Sequence, residues 1–340
     1  PSIETASSLL GSAIVVGNES IAREMAGFIK KKRANSKISI AIADKVLNQG
    51  LLNEHDIEIN LRIAKIKNWI RKFPKSAIPW IELARLYTIN GQNEKAKTTV
   101  IVALNLAPFD RYIVRCGVRF FLHIFDFDAA WHYIHRANLN VKDPWLKATE
   151  INVSMIASKS TPSFKRLIPK NINDIDLFCY SELFESYGML ELEEGNSKSA
   201  KKLFKTAWAN PPETVITHGE WVIRNKFPGL RESSNLEYEK SLEALTWIKY
   251  FDLDIKNALK AAKEWELEEP YSRSPFIMGA SIACDAEMPD LGAQIAKRGL
   301  NSNPDDPKLI NNLCYSLLRA GEIEEAEEEF KKYKQGETDE

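Results

Sequence analysis

The chain has 340 residues, of which 44% are hydrophobic and 27% are charged, so it can bury a sizeable core and lacks the composition of a disordered protein. Its net charge is −1, but residues 1–150 carry 22 Lys and Arg against 14 Asp and Glu, whereas residues 151–340 carry an acidic excess. No apolar run approaches the roughly 18 residues of a membrane span, and the four cysteines form no C-x-x-C pair. These features predict a cytoplasmic protein with reduced thiols and no metal or cofactor.

The first 76 residues are predicted to form helices, although they show no repeated pattern. The candidate helices are Ile21–Lys32, Ile38–Leu47 and Asn53–Phe73, and Pro74 ends the last of them. We expect this segment to be a helical cap that covers the open end of a repeat array. The chain begins with Pro1 instead of methionine, as expected of a processed chain or a piece of a longer protein.

A helical hairpin is predicted from Ala77 onward. The large and small apolar residues of its first helix recur three and four positions apart: Trp80, Leu83, Ala84 and Tyr87. Those of its second helix do the same: Ala96, Val100 and Ala103. Gly91 supplies the turn between the helices, and Pro108 ends the second one. The alanines let the two helices approach closely, while the large side chains fill the remaining volume.

This pattern, with its period of about 34 residues, resembles the tetratricopeptide repeat (TPR). Further copies begin at Arg111, Ser181, Glu239, Arg273 and Pro307. The resemblance implies an all-α, right-handed superhelix of stacked helix pairs. We expect TPR units over 77–140, a degenerate unit over 141–180, a unit over 181–214, an irregular helical connector over 215–238, and three units with a capping helix over 239–340.

Two regions interrupt the pattern. In the degenerate unit a helix is predicted from Pro144 to Ala157, followed by a short irregular helix that contains Pro162 and is closed by Pro169. In the connector, Pro228-Gly229 supplies turn residues, and Trp221, Val222 and Phe227 indicate a short helix that still packs.

The resemblance implies that the first helices line a concave groove in which a peptide or helix binds. The polar and aromatic residues expected on that groove are Arg85, Tyr112, Arg115, Arg119, His123, Trp247, Tyr250, Tyr315 and Arg319. Ile81, Ile89, Glu182 and Glu185 occupy similar positions. The arginines beside Tyr112 could hold an acidic segment of a partner through bidentate contacts, and Trp247 and Tyr250 could anchor an apolar side chain. The alternative is that these positions are simply solvated or packed between repeats.

Two further clusters have structural and functional interpretations. The basic run from Lys30 to Arg33 suits a helix C-terminus, and the alternative is a nucleic-acid contact. His132 and His135 could lie on one helix face, but no third metal ligand is evident. No motif of a known catalytic site is found.

The sequence therefore favours a non-catalytic protein-interaction scaffold or adaptor. Two alternatives stay open. One is a regulatory or sensor TPR module of a larger enzyme or defence-type complex. The other is a nucleic-acid-binding helical repeat that uses the basic N-terminal half.

Overall fold

The computed structural model describes residues 3–16, 19–32, 40, 42–44, 46–47, 54–139, 142–159, 176–234 and 236–338. Within these ranges the regular elements are helices, and no strand occurs among them. The predicted all-α helical-repeat fold is thereby confirmed. The chain divides into two compact units, residues 1–106 and residues 107–340, and each is described by itself.

The first unit contains five helices whose bounds are defined. They are α1 (Ile3–Val16), α2 (Glu19–Lys31), α3 (Glu54–Lys72), α4 (Ala77–Ile89) and α5 (Asn93–Leu106). Helices α2 and α3 match the predicted segments to within two residues, but α1 was not predicted. The predicted helix Ile38–Leu47 lies partly outside the described residues, and positions 40, 42–44 and 46–47 of it are helical.

Small residues bring the helices of the first unit together. Ala22 and Ala26 of α2 are fully buried in a cluster that also contains Ala6 and Leu10 of α1. In the α4–α5 hairpin, Ala96 and Ala103 are likewise fully buried. Helices α4 and α5 pack closely at these alanines, which confirms the packing predicted for the unit that starts at Ala77.

The second unit continues the series of helices. They are α6 (Arg111–His123), α7 (Phe127–Asn138), α8 (Pro144–Ile156), α9 (Leu177–Glu193), α10 (Ser197–Ala207), α11 (Glu213–Asn225), α12 (Leu242–Phe251), α13 (Ile255–Glu268), α14 (Arg273–Asp285), α15 (Pro289–Ser302), α16 (Pro307–Ala320) and α17 (Ile323–Thr338). Two 3₁₀ helices, Pro228–Ser233 and Tyr238–Lys240, precede α12.

Among the described residues, seven of the first helices are followed by a turn that contains one residue with a left-handed backbone. These residues are Gly91, Phe125, Ser158, Gly195, Leu253, Glu287 and Gly321. Phe125 follows Gly91 by 34 positions, and the same spacing separates the last three from one another. Because one backbone geometry recurs at the repeat length, the helix pairs are TPR-like in structure as well as in sequence.

Aspartate side chains start several first helices. Asp110 accepts a hydrogen bond from the Ile113 backbone N–H at 3.0 Å, and Asp306 accepts one from Leu309 at the same distance. Asp143 and Asp176 cap α8 and α9 in the same way. These caps satisfy backbone donors that a helix N-terminus otherwise leaves free.

Most helices of the second unit pack against the next one along the chain. First helices also contact first helices, as between α6 and α8, α9 and α11, and α14 and α16. Gly188 of α9 lies so close to α10 that an added Cβ would sit 2.6 Å from a ring carbon of Phe204. Stacked first helices leave their free faces along one side, and the candidate site lies there.

Each interrupted region contains a helix where the structure describes it, and the one in the connector is longer than predicted. The helix from Pro144 is observed and ends at Ile156, one residue early. Pro162 and Pro169 lie outside the described residues. The predicted short connector helix is the 13-residue α11, with Val222 fully buried. The boundaries assigned to the repeat blocks stay a prediction.

The last helix carries a charged outer face. The i,i+4 ion pairs Glu327–Lys331 and Glu328–Lys332 are both present at 3.1 Å. None of the helices in the described residues is long and apolar enough to cross a bilayer. The four cysteines are free thiols, and Cys284 is buried.

Candidate functional site

A groove runs along the first helices of the second unit; we call it the inner groove. It consists of two adjoining pockets. The first, of about 440 Å³, lies between α6, α8, α9 and α11. The second, of about 630 Å³, lies between α11 and α12. Met189 and His218 line both pockets, so the two form one continuous surface.

The walls of the first pocket combine apolar side chains with charged and polar ones, the uncharged polar ones being Thr149, Asn152 and Thr214. The apolar side chains are Val118, Leu122, Val153, Met155, Ile156 and Met189. The charged ones are Arg115, Arg119, Glu182, Glu185 and His218. A concave apolar surface with a few convergent polar groups is typical of ligand-binding sites.

Arg115 is held by the protein itself. Its Nη2 donates to Glu182 at 2.9 Å, and Thr214 Oγ1 donates to the same carboxylate at 2.9 Å. The guanidinium also lies 5.1 Å from the ring centroid of Trp145, a cation–π distance. Part of the donor capacity of Arg115 is therefore used within the protein.

Glu185 is buried with one carboxylate oxygen satisfied. Its Oε2 lies 3.4 Å from Nδ1 of His218, while its Oε1 has no hydrogen-bond partner in the structure. Burial raises the pKa of Glu185 to about 7, against the opposing effect of His218.

His218 connects the two pockets. Burial lowers the pKa of His218, but the hydrogen bond and charge of Glu185 and the charge of Glu243 outweigh it and raise the pKa above its usual value. The imidazole stacks on Trp221 with ring centroids 5.9 Å apart. It therefore lies between a carboxylate of α9 and one of α12.

Glu243 is the carboxylate that lines the second pocket, and further carboxylates act on it from nearby. Burial, and then the charges of Glu269 and Glu213, raise the pKa of Glu243 to about 7. The pKa of Glu213 is raised by burial and by Glu268 and Glu269, and Arg119 opposes that rise. Carboxylates from α11, α12 and the end of α13 thus repel one another here.

Aromatic side chains form the far wall of the second pocket. Trp247 and Phe251 stack with centroids 5.7 Å apart, and the Arg224 guanidinium lies 4.3 Å from the Phe251 ring. Arg224 also pairs with Glu220 at 3.2 Å. This cation, like Arg115, has an internal carboxylate partner.

The end of α6 contacts the turn before α14; we call this pairing the α6–α14 contact. His123 meets Tyr271 edge to face at 5.4 Å, and the Arg273 guanidinium lies 4.3 Å from the Phe125 ring. Burial and, next, the charge of Arg273 lower the pKa of His123 to about 4, against the opposing charge of Asp306. His123 is therefore neutral at pH 7.

The structure brings some of the predicted site residues together and separates others. Arg115 and Arg119 line the first pocket and Trp247 lines the second. Tyr112 is half exposed at the start of α6, and His123 belongs to the α6–α14 contact. Their use in binding stays a prediction.

The other predicted residues do not line the two pockets. The Tyr250 hydroxyl donates to Asp285 at 2.6 Å. Arg319 donates to the Tyr315 hydroxyl at 3.1 Å on α16. Arg85 belongs to the first unit, where it is half-buried.

Ile81 and Ile89, which we expected on the groove of the first unit, are each only 5% exposed. Their side chains contribute to the core instead, as large aliphatic residues usually do. This part of the prediction is wrong.

The remaining candidate clusters have internal partners. His135 Nδ1 is hydrogen-bonded to Glu150 Oε1 at 2.7 Å, and the described residues contain no group of three side chains suited to a metal ion. Lys30 pairs with Asp44 at 2.6 Å near the end of α2, while Arg33 lies outside the described residues.

Sequence reasoning missed the importance of His218, Arg224 and Glu243. The first two lie in α11, which was interpreted as an irregular connector, so no face was assigned to it. The signal was present in the spacing of His218, Trp221 and Arg224, which places them on neighbouring positions of one helix surface.

Comparison with solved structures gives several helical-repeat proteins of low identity. YrrB, a TPR protein with an unusual peptide-binding site, is 14% identical, with a TM-score of 0.31 over 72% of this chain and 96% of its own. Yeast Tom70 is 15% identical, with a TM-score of 0.45 over 97% of this chain and 84% of its own. PilW, a type IV pilus biogenesis factor, is 14% identical, with a TM-score of 0.27 over 82% of this chain and 100% of its own.

The chain is built of TPR-like helical repeats. No protein-family model matches it, and neither does any curated protein sequence. The function of this TPR-like protein is therefore argued from its own groove.

Proposed function

We propose that this protein is a non-catalytic, cytoplasmic interaction scaffold that holds a segment of a partner protein in the inner groove. The observation that carries the proposal is the continuity of the two pockets, which share Met189 and His218. A surface that crosses α6, α8, α9, α11 and α12 suits an extended or helical segment better than a compact small molecule.

The composition of the inner groove supports binding by a few anchoring side chains. Met189 and Met155 are flexible apolar groups that adapt to a ligand. Trp221 and Trp247 line the second pocket, and aromatic side chains dominate the energetics of many protein interfaces. Apolar anchors from the partner would pack here while its polar groups contact the buried carboxylates.

The contacts of the groove arginines do not favour an acidic partner. Arg115 is engaged by Glu182 and Arg224 by Glu220, so two cations of the groove are already neutralised. A role as the sensor module of a larger assembly is compatible with a groove that binds a protein segment.

The proposal is tested by selecting binders from a displayed random-peptide library on the full chain. Asn152 is exposed on α8 and lines the first pocket, so Asn152→Trp fills the groove without disturbing the core. We expect selected peptides to bind the original chain with micromolar affinity and the Asn152→Trp variant at least about tenfold more weakly, a loss of about 1.4 kcal/mol.

The matched control is Lys202→Trp, which adds the same ring to an exposed position of the second helix α10. It should bind like the original chain. Enrichment of no peptide, or equal loss of binding in both variants, would refute a peptide-binding groove.

A further inference from the structure

The unsatisfied oxygen of Glu185 is the clearest indication of what the inner groove holds. Glu185 is only 6% exposed, lines the first pocket, and leaves Oε1 without a donor. Buried carboxylate oxygens are normally hydrogen-bonded, because desolvation of an unpaired one is costly. A donor from the occupant of the groove would complete this site.

The charges around Glu185 indicate the sign of that donor. Arg115 is bound to Glu182 at 2.9 Å. Arg119 lies near Glu213, and its charge partly offsets the rise in the pKa of that carboxyl. His218, at 3.4 Å, is the ionisable partner of Glu185 in the described groove. None of the described contacts joins an arginine or lysine to Glu185, so a positively charged donor from the occupant is favoured over a neutral one.

Glu243 gives the same indication from the other side of His218. It lines the second pocket, and Glu213 and Glu269 act on it as like charges. A cation placed between the pockets would relieve this repulsion as well as completing the hydrogen bonding of Glu185. Two carboxylates from different helices, α9 and α12, would then share one guest charge.

The apolar surroundings define the shape of the guest group. Met189 lies at the junction of the pockets and Trp221 lines the second one. A long aliphatic stem could pack along these side chains while its charged end reaches the carboxylates, as lysine and arginine do elsewhere. A short ammonium group would not use this apolar surface.

We infer that the partner segment carries a lysine or arginine whose charged end binds at the junction of the two pockets, between Glu185 and Glu243. This inference rests on the proposed function, because it names the chemistry of the segment that the inner groove holds. It also reverses the sign expected from the basic N-terminal half of the sequence.

The test uses pools of blocked, fluorescein-labelled peptides that differ only in a fixed central residue. That residue is Lys, Arg, norleucine, Ser or Glu, and the other positions are mixtures of uncharged amino acids. Binding to the full chain is measured by fluorescence anisotropy. We expect the Lys or Arg pool to bind at least about fivefold more tightly than the norleucine and Glu pools.

Variants of the two carboxylates test whether the preference for a basic residue arises at the junction of the pockets. Glu185→Gln and Glu243→Gln should each reduce the preference for the basic pools at least about threefold, because each removes an ionisable carboxylate at the junction. Glu193→Gln is the matched control, since Glu193 is exposed at the end of α9 and should leave the preference unchanged. Glu185→Gln should also unfold at the same or a higher temperature, because it removes a buried carboxylate.

The possible failures are distinguishable. One outcome is that Asn152→Trp blocks peptide binding but the pools show no preference for a basic residue, or prefer Glu. This outcome would overturn the inference and leave the proposed function intact. Absence of binding by every pool would overturn the proposed function. Displacement of the Lys pool by 1,4-diaminobutane at equal affinity would show that a free amine, and not a peptide, is the ligand, which also overturns the inference.

Discussion

At the scale of single residues, the left-handed turn positions are an unusual feature because most of them are not glycine. Phe125, Leu253 and Glu287 have φ values between 58° and 60°. This backbone region costs a residue with a Cβ atom roughly 1–2 kcal/mol. The repeat geometry requires it, so the helix pairs themselves must supply the compensating stability.

Leu253 is the position at which this cost is easiest to measure. Its side chain is 81% exposed, so little packing is lost on its removal. We expect Leu253→Gly to raise the free energy of unfolding by about 0.5–1 kcal/mol in urea denaturation, because glycine adopts this conformation without strain. Leu253→Ala keeps the strained Cβ and should be close to neutral. Equal stability of the two variants would contradict the strain argument.

Residue identity was sufficient to predict the glycine turns but not the others. Gly91 and Gly321 punctuate the sequence visibly, whereas nothing local marks Phe125 or Leu253 as left-handed. The same limit applies to the inner groove. The burial of Glu185 and the pairing of Arg115 with Glu182 depend on residues distant in sequence, so the sequence indicated candidate side chains without revealing their partners.

At the scale of helices, the close crossing of α9 and α10 depends on a missing side chain. Gly188→Ala would place a Cβ 2.6 Å from Phe204, and the fully buried ring has little room to move. We expect a loss of about 1–3 kcal/mol in the free energy of unfolding from this overpacking. Gly229→Ala is the control, because no atom lies within 4 Å of the position that its Cβ would occupy.

A second variant separates overpacking from a loss of chain flexibility. The double variant with Gly188→Ala and Phe204→Leu should lose less free energy of unfolding than the sum of the two single variants. The reason is that the smaller leucine side chain makes room for the new methyl group. Additive losses, measured by urea denaturation, would show that the α9–α10 crossing is not limited by this contact.

Helices with the repeat pattern could be predicted because their small residues, turn residues and prolines are local signals. The start of α4 at Ala77 and that of α14 at Arg273 were predicted to the residue. Helix α1 and the full length of α11 were not, because neither carries the repeat signature. Their stability comes from tertiary packing of an apolar face, which a pattern of turn residues does not reveal.

At the scale of the whole second unit, the α6–α14 contact should respond to pH. The pKa of His123 is about 4 in the folded chain and about 6.5 when unfolded. Between pH values of about 6.5 and about 4 the unfolded state therefore binds a proton that the folded state does not, and stability is lost as the pH falls through this range. Protonated His123 would also be repelled by Arg273, although Asp306 partly offsets this.

The measurement is the difference in unfolding free energy between the original chain and His123→Gln, taken at pH 7 and pH 4.5. Glutamine does not titrate, so carboxylate effects common to both chains cancel. We expect the original chain to lose on the order of 2 kcal/mol more than the variant on acidification. Hydrogen exchange around residues 119–127 and 268–275 should rise in parallel. An unchanged difference between the two chains would contradict the assigned pKa.

The α6–α14 contact has a consequence for how this protein can be shortened. In an open solenoid each repeat touches only its neighbours, so units can be trimmed from an end with local effect. Here positions 123 and 271 are in contact, about 150 residues apart along the chain. Loss of the C-terminal repeats would therefore loosen α6, the helix at the start of the second compact unit. Residues 107–340 should unfold as one cooperative body.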